Sequence, residues 1–445
     1  MRAFLRFLVV LFLLPPALDC GVAAAAGPPT REALSAADRL DRALLSEVLR
    51  AAGLEDSRSR LRYEAAFRRV VEEIDRKIGR ARSPYRIARR LHRMLHEDYL
   101  RRYEATANGL DAILDRGEYN CVSASLFYGI VARAFGLDAV LVEMPRHVHV
   151  RLNLGSRSLD IESTSPAGFN FRSGPEGWPA EPPSGEYGED GDRAGNGRAA
   201  RERLAMRELP HVVDLERSVG FVWHNTGRQA LERGDSLTAA TRFLEEARLR
   251  PEMASQSDLL AGLLARAFRT EYEGGRFGSA YRIAEISLEI FPGQTSGKDR
   301  FLAAAMKRID AGCEAGDPGA AERMLDQAVA AVAGSGEASR LERGACPLIA
   351  GAAVRRGDWD LATRMAERFA AARPDRAEAD RLARWVAARE RDASAENERA
   401  VCADSPSASL EAPADPALPG DFPPPSGSAG TPLFESRSPD TSPAP

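Results

Sequence analysis

Residues 116–128 read RGEYNCVSASLFY, and residues 132–137 read ARAFGL. Apolar residues recur through these stretches and Gly136 supplies an end signal, so we predict a helix from Cys121 to Phe135. Unpaired N–H groups at a helix start carry partial positive charge, which favours the thiolate form of a cysteine there. Cys121 is therefore a candidate nucleophile. The alternative is a small buried core residue, because the helix is mostly apolar.

Three strands are predicted after this helix, at residues 139–142, 147–152 and 158–161. His147 opens the second strand, and strand alternation places Asp160 and Glu162 on one face of the third. A thiol needs a base within hydrogen-bond reach, and a carboxylate can orient the imidazole of that base. Cys121, His147 and an acid, either Glu162 or Asp160, are therefore the candidate catalytic residues.

These residues resemble the bacterial transglutaminase-like superfamily, which has a papain-like cysteine fold. The likeness covers about residues 111–171 and includes the Cys121 helix, the ARAFGL run, the His147 strand and the sequence EST at residues 162–164. It implies an α+β core in which a helix packs on an antiparallel sheet. It also implies that Cys121 is the nucleophile and His147 the base, with Glu162 at the register of the family's acid.

The resemblance also bears on the site that would stabilise an oxyanion. Members of the family often have glycine two residues before the cysteine, where this chain has Tyr119. The backbone N–H of Cys121 is the preferred oxyanion donor, and Asn120 and Tyr119 are weaker candidates. No cofactor is implied by this chemistry.

The second half of the sequence contains an internal repeat with a 41-residue period. Four glycines recur at this interval, and four alanines follow them at the same interval: Gly234, Gly275, Gly316 and Gly357, then Ala239, Ala280, Ala321 and Ala362. Residues 220–251 resemble a tetratricopeptide unit. Stacked helix pairs of this kind form a solenoid with a concave face, so we predict an all-α solenoid that binds a protein partner.

The N-terminus predicts export. Arg2 and Arg6 precede an apolar run, and small residues near Ala26 suit cleavage, so residues 1–26 read as a signal peptide and the protein as periplasmic or secreted. An uncleaved anchor and lipidation at Cys20 are the alternatives. No later stretch is long and apolar enough to span a membrane, and the net charge of -4 gives no indication of nucleic-acid binding.

The predicted division of the chain follows from these segments. After the signal peptide come the helical extension with the transglutaminase-like domain, a Gly/Pro/acidic linker, the four helical repeats and a disordered tail, at residues 27–172, 173–210, 211–392 and 393–445. Cys313 and Cys346 are expected to be buried thiols. His92 and His96 lie one helical turn apart, but no third ligand is evident for a metal.

Two functions remain open from the sequence. The first is an exported cysteine enzyme that hydrolyses amide bonds, or transfers their acyl groups, in a protein or peptide substrate. The second is a catalytically inactive envelope scaffold that binds protein or peptide through the repeats.

Overall fold

A computed structural model of the chain describes residues 35–79, 83–144, 147–171, 211–255, 257–372 and 375–403. The predicted signal peptide, the predicted linker and most of the predicted tail lie outside these ranges. Among the helices within them, none combines the length and the apolar character needed to cross a bilayer.

Three amphipathic helices begin the described part of the chain: α1 (Arg42–Ala51), α2 (Ser57–Ile78) and α3 (Pro84–Asp98). Asp41 and Asp56 cap the first two, each accepting a hydrogen bond from a backbone N–H in the first turn. One face of each helix is buried in a common core. The helical extension predicted from the apolar stripes is therefore part of the first folded unit.

The central helix α5 (Cys121–Ala134) is buried on almost every side. The short helix α4 (Leu110–Arg116) leads to it through β2 (Glu118–Tyr119), which pairs in parallel with β1 (Arg102–Tyr103). Gly117 ends α4 with a φ of 69°, a left-handed conformation that glycine adopts without steric cost.

A four-stranded antiparallel sheet packs against α5. Its strands are β3 (Asp138–Met144), β4 (His147–Asn153), β5 (Ser158–Ile161) and β6 (His211–Val213), in the order β5-β4-β3-β6. The predicted α+β core, a helix on an antiparallel sheet, is confirmed. The fourth strand was not predicted, and it comes from residues that we had assigned to the repeat region.

The repeat region is joined to the first core by its opening helix, α6 (Leu215–Glu232). Val219, Val222 and Trp223 of this helix belong to the same apolar core as α1 and α5, whereas Ala230 begins a second core. The change from one core to the next therefore falls inside α6, whereas the sequence predicts a boundary at residue 211.

Close contacts reinforce this junction. A Cβ atom placed on Gly129 of α5 would lie 2.7 Å from a methyl group of Leu215, so a larger residue at position 129 would require the buried Leu215 side chain to move. Arg250 is buried, forms an ion pair with Glu143 of β3 and lies over the ring of Phe221.

Beyond α6 the described chain is helical. Each repeat glycine lies at the end of a helix with a φ between 71° and 82°, and each repeat alanine is fully buried five residues later. The helical region is consistent with repeats. Its remaining helices are α7 (Ser236–Leu249), α8 (Pro251–Ala254), α9 (Asp258–Glu273), α10 (Phe277–Ile290), α11 (Thr295–Glu314), α12 (Pro318–Ala331), α13 (Gly336–Arg356), α14 (Trp359–Ala372) and α15 (Arg376–Ala403).

The last helix corrects the predicted start of the disordered tail. We expected order to end at Asp392, but α15 continues to Ala403. Cys313 and Cys346 are free and buried, and burial raises the pKa of their thiols to about 11 and about 12.

Candidate active site

The position of Cys121 is fixed by a capping box at the start of α5. The side-chain oxygen of Asn120 accepts hydrogen bonds from the N–H groups of Val122 and Ser123, both at 3.0 Å. The Ser123 hydroxyl in turn accepts the Asn120 N–H at 2.9 Å. Cys121 is therefore the first residue of the helix, and its side chain is only partly buried.

The side chains of the two weaker oxyanion candidates, Asn120 and Tyr119, are already hydrogen-bonded within the protein. The side-chain amide of Asn120 is buried and donates to the Ala105 carbonyl at 3.1 Å and to the Asn108 side chain at 2.6 Å. The Tyr119 hydroxyl donates to the Thr164 carbonyl at 3.2 Å. Each of these side chains therefore links the segment before α5 to another part of the fold. Among the residues that the structure describes, the backbone N–H of Cys121 has no acceptor, so it stays the preferred donor.

His147 lies between Cys121 and Glu162. Its Nε2 is 2.6 Å from the Glu162 carboxylate, and the Cys121 side chain is near enough to the imidazole to raise its pKa. Since Nε2 is engaged by Glu162, Nδ1 is the ring nitrogen that remains for the sulfur. The other carboxylate oxygen of Glu162 accepts from the backbone N–H of Thr164 at 3.0 Å and from its hydroxyl.

The electrostatics of this group favour a charged pair. Burial lowers the pKa of His147, but the interactions with Cys121 and Glu162 outweigh burial and raise that pKa to about 9. Burial raises the pKa of Glu162, but the hydrogen bonds from His147 and Thr164 outweigh it and hold the pKa below its ordinary value. At neutral pH His147 is therefore protonated and Glu162 is ionised.

Asp160 faces a different partner. Its carboxylate accepts two hydrogen bonds from the Arg151 guanidinium, at 2.6 and 2.8 Å, which is the bidentate geometry typical of a structural ion pair. Of the two acids, Glu162 is the one that the structure shows hydrogen-bonded to His147. His149, on the same face of β4 as His147, is fully buried against Phe171.

His92 and His96 lie behind the acid. Their rings are 4.7 Å apart, and His92 Nε2 is 3.2 Å from the Pro166 carbonyl, in the loop that follows Glu162. Burial lowers the pKa of His92, and it lowers that of His96 to about 4. No group of three or more His, Cys, Asp or Glu side chains within the described ranges is arranged to hold a metal ion.

Sequence reasoning missed the residues that support this arrangement. Asn108 and Thr164 anchor the Asn120 cap and the Glu162 carboxylate, and the only signal for either was the short EST sequence. The asparagine and serine at the first and fourth positions of NCVS could have indicated the capping box.

Comparison with known protein families finds a match in the first half of the chain. Residues 62–164 match the family model of the transglutaminase-like superfamily, so this part of the chain, from α2 to the loop after β5, carries a transglutaminase-like domain. The match includes helices that precede the region of resemblance read from the sequence. No curated protein and no solved structure matches the chain.

Proposed function

We propose that the protein is a thiol enzyme that acts on amide bonds of peptides or proteins, with Cys121 as nucleophile, His147 as proton carrier and Glu162 as the acid that orients it. The observation that carries this proposal is the grouping of three side chains: His147 Nε2 lies 2.6 Å from the Glu162 carboxylate, and Cys121 is near enough to the same imidazole to raise its pKa. A thiol at a helix start, an imidazole and a carboxylate in series are the parts that nucleophilic acyl transfer requires.

The proposed reaction starts with His147 protonated and Glu162 ionised. With the proton on the His147 imidazole, the Cys121 thiolate attacks the amide carbonyl carbon and forms a carbon–sulfur bond. The carbonyl oxygen becomes an oxyanion, which the backbone N–H of Cys121 is free to bind. When the carbon–nitrogen bond breaks, the imidazolium gives its proton to the leaving amine.

The second half returns the enzyme to its starting state. Neutral His147 removes a proton from a water molecule or from an incoming amine, which attacks the thioester and expels the Cys121 thiolate. Water gives hydrolysis, and an amine gives acyl transfer. Throughout both halves Glu162 stays ionised and keeps the imidazole in one orientation.

We place this reaction outside the cytoplasm because residues 1–26 have the pattern of a signal peptide. We assign protein or peptide binding to the helical region, because stacked helix pairs expose extended surfaces suited to such partners. Tetratricopeptide-like repeats are the unit that best accounts for the 41-residue spacing of glycine and alanine.

The test offers the acyl group both possible acceptors, water and a primary amine. The chain without residues 1–26 is incubated with a library of peptides that contain glutamine, with and without a fluorescent primary amine, and products are identified by mass spectrometry. We expect hydrolysed or amine-linked peptides, lost in Cys121→Ser and His147→Asn and kept in Cys313→Ser. A chain that binds peptides but gives neither product, and no acyl adduct on Cys121, would instead be the scaffold.

A further inference from the structure

Two buried serine hydroxyls connect the elements that carry the three candidate catalytic residues. Ser125 lies one helical turn after Cys121 on α5, and Ser163 directly follows Glu162. Both side chains are fully buried, and their hydroxyl oxygens are 2.7 Å apart. Ser125 also bonds to the carbonyl oxygen of Val148, the neighbour of His147 on β4, at 3.3 Å.

This contact lies where the pairing of β4 with β5 ends. The last paired residues are Val150 and Ile161. Continuing the same register would place Ser163 opposite Val148, but the chain turns away at Glu162, whose N–H donates to the carbonyl of Gly168. The hydroxyl of Ser125 reaches across from the helix and bonds to both separated positions.

Each serine has one O–H to donate. In the arrangement in which Ser125 donates to the Val148 carbonyl, Ser163 donates to Ser125. The resulting series, Ser163 to Ser125 to Val148, joins the acid loop, the nucleophile helix and the histidine strand at one point.

We propose that Ser125 is a positioning residue that sets the distance between the Cys121 thiol and the His147 imidazole, with Ser163 tying the Glu162 loop to the same point. This inference rests on the proposed function. The hydrogen bonds of Ser125 run to the Val148 carbonyl and the Ser163 hydroxyl, so it acts through the backbone positions that carry the three candidate catalytic side chains. Reaction rates are sensitive to small displacements of the reacting groups, since a misplacement of about 1 Å lowers the rate by up to about 100-fold.

A purely structural role is the competing explanation, and it makes a different prediction. If the buried hydroxyl only stabilises the fold, its removal would lower the melting temperature without changing the reactivity of native Cys121. Ser218 offers a matched control, because it is also fully buried and donates to a carbonyl, that of Leu215, within its own helix.

The experiment measures alkylation of Cys121 by iodoacetamide in the folded full chain, at a temperature well below every melting transition, with the site assigned by peptide mapping. Ser125→Ala and Ser218→Ala are compared in the wild-type background and in His147→Asn. We expect Ser125→Ala to slow alkylation about fivefold in the wild-type background and to have no effect in His147→Asn, because its effect passes through the imidazole. Ser218→Ala should leave the rate unchanged in both.

The outcomes separate this inference from the proposed function. If His147→Asn alone does not slow alkylation of Cys121, the thiol–imidazole pair fails and the role of Ser125 fails with it. If His147→Asn slows the reaction but Ser125→Ala matches Ser218→Ala, or slows both backgrounds equally, only the positioning role is overturned. Should Ser125→Ala not fold, Ser163→Ala carries the same comparison, because it keeps the bond from Ser125 to Val148.

Discussion

The choice of acid gives a prediction that can be worked out from the geometry. The substitution Glu162→Gln keeps the size of the side chain and a neutral hydrogen bond to His147, but it removes the negative charge 2.6 Å from Nε2. Asp160→Asn removes the other nearby carboxylate charge, which the structure pairs with Arg151. The two variants therefore test which carboxylate stabilises the protonated imidazole.

The magnitude follows from the strength of a charged hydrogen bond. Such a bond contributes about 1.5 to 3 kcal/mol, and one pH unit corresponds to about 1.36 kcal/mol. The wild-type pKa of His147 is about 9. Loss of the Glu162 charge destabilises the imidazolium, so the pKa of His147 should fall by about one to two pH units in Glu162→Gln. Asp160→Asn should change it by less than about half a pH unit.

The assay is an NMR titration of the chain with isotope-labelled histidine. The sequence contains six histidines, and the His147 signal is assigned by its absence from His147→Asn. The reasoning is refuted if Asp160→Asn lowers the pKa of His147 while Glu162→Gln leaves it near 9.

Three further predictions concern stability. Gly129→Ala should destabilise the protein by about 1 to 3 kcal/mol, because the new methyl group meets the buried Leu215 side chain. Gly262→Ala, in open space on an exposed helix face, should stabilise the protein by up to about 1 kcal/mol. Thermal melts compare the two variants. Asn120→Ala should lower the free energy of unfolding, measured in urea, by about 1 to 3 kcal/mol, because it removes the helix cap and leaves buried polar groups unpaired. A loss of activity with unchanged stability would contradict this capping role. A chain of residues 27–171 should unfold less cooperatively than one of residues 27–255, because the shorter chain lacks β6 and the apolar side chains of α6 that cover the first core. Equal melting curves would instead support the predicted domain boundary at residue 211.

Local signals made much of the fold predictable. The start of α5, the hairpin between β4 and β5 and the helix ends at the repeat glycines each depend on a few adjacent residues, such as Gly155 with its φ of 75°. The candidate nucleophile and the candidate base followed from the same local patterns, because a helix start and a strand start can be read from the chain.

What remained open depended on contacts between distant segments. Alternation placed Asp160 and Glu162 on one face and could not separate them, because only the turn after Ile161 brings Glu162 toward His147. The strand β6 has three residues, too few to show a period, and it lies far along the chain from β3. The helix α15 continues past Asp392 although few apolar residues mark it.

The central claim is that the Cys121 thiol and the His147 imidazole act as one group, and alkylation kinetics test it most directly. Cys313 and Cys346, both buried and free, serve as internal controls in the same molecule. We predict that iodoacetamide modifies Cys121 before Cys313 and Cys346 in the native chain at neutral pH. His147→Asn should slow this reaction at least about tenfold without changing the rates at Cys313 and Cys346. Equal modification of Cys121 with and without His147 would contradict the account.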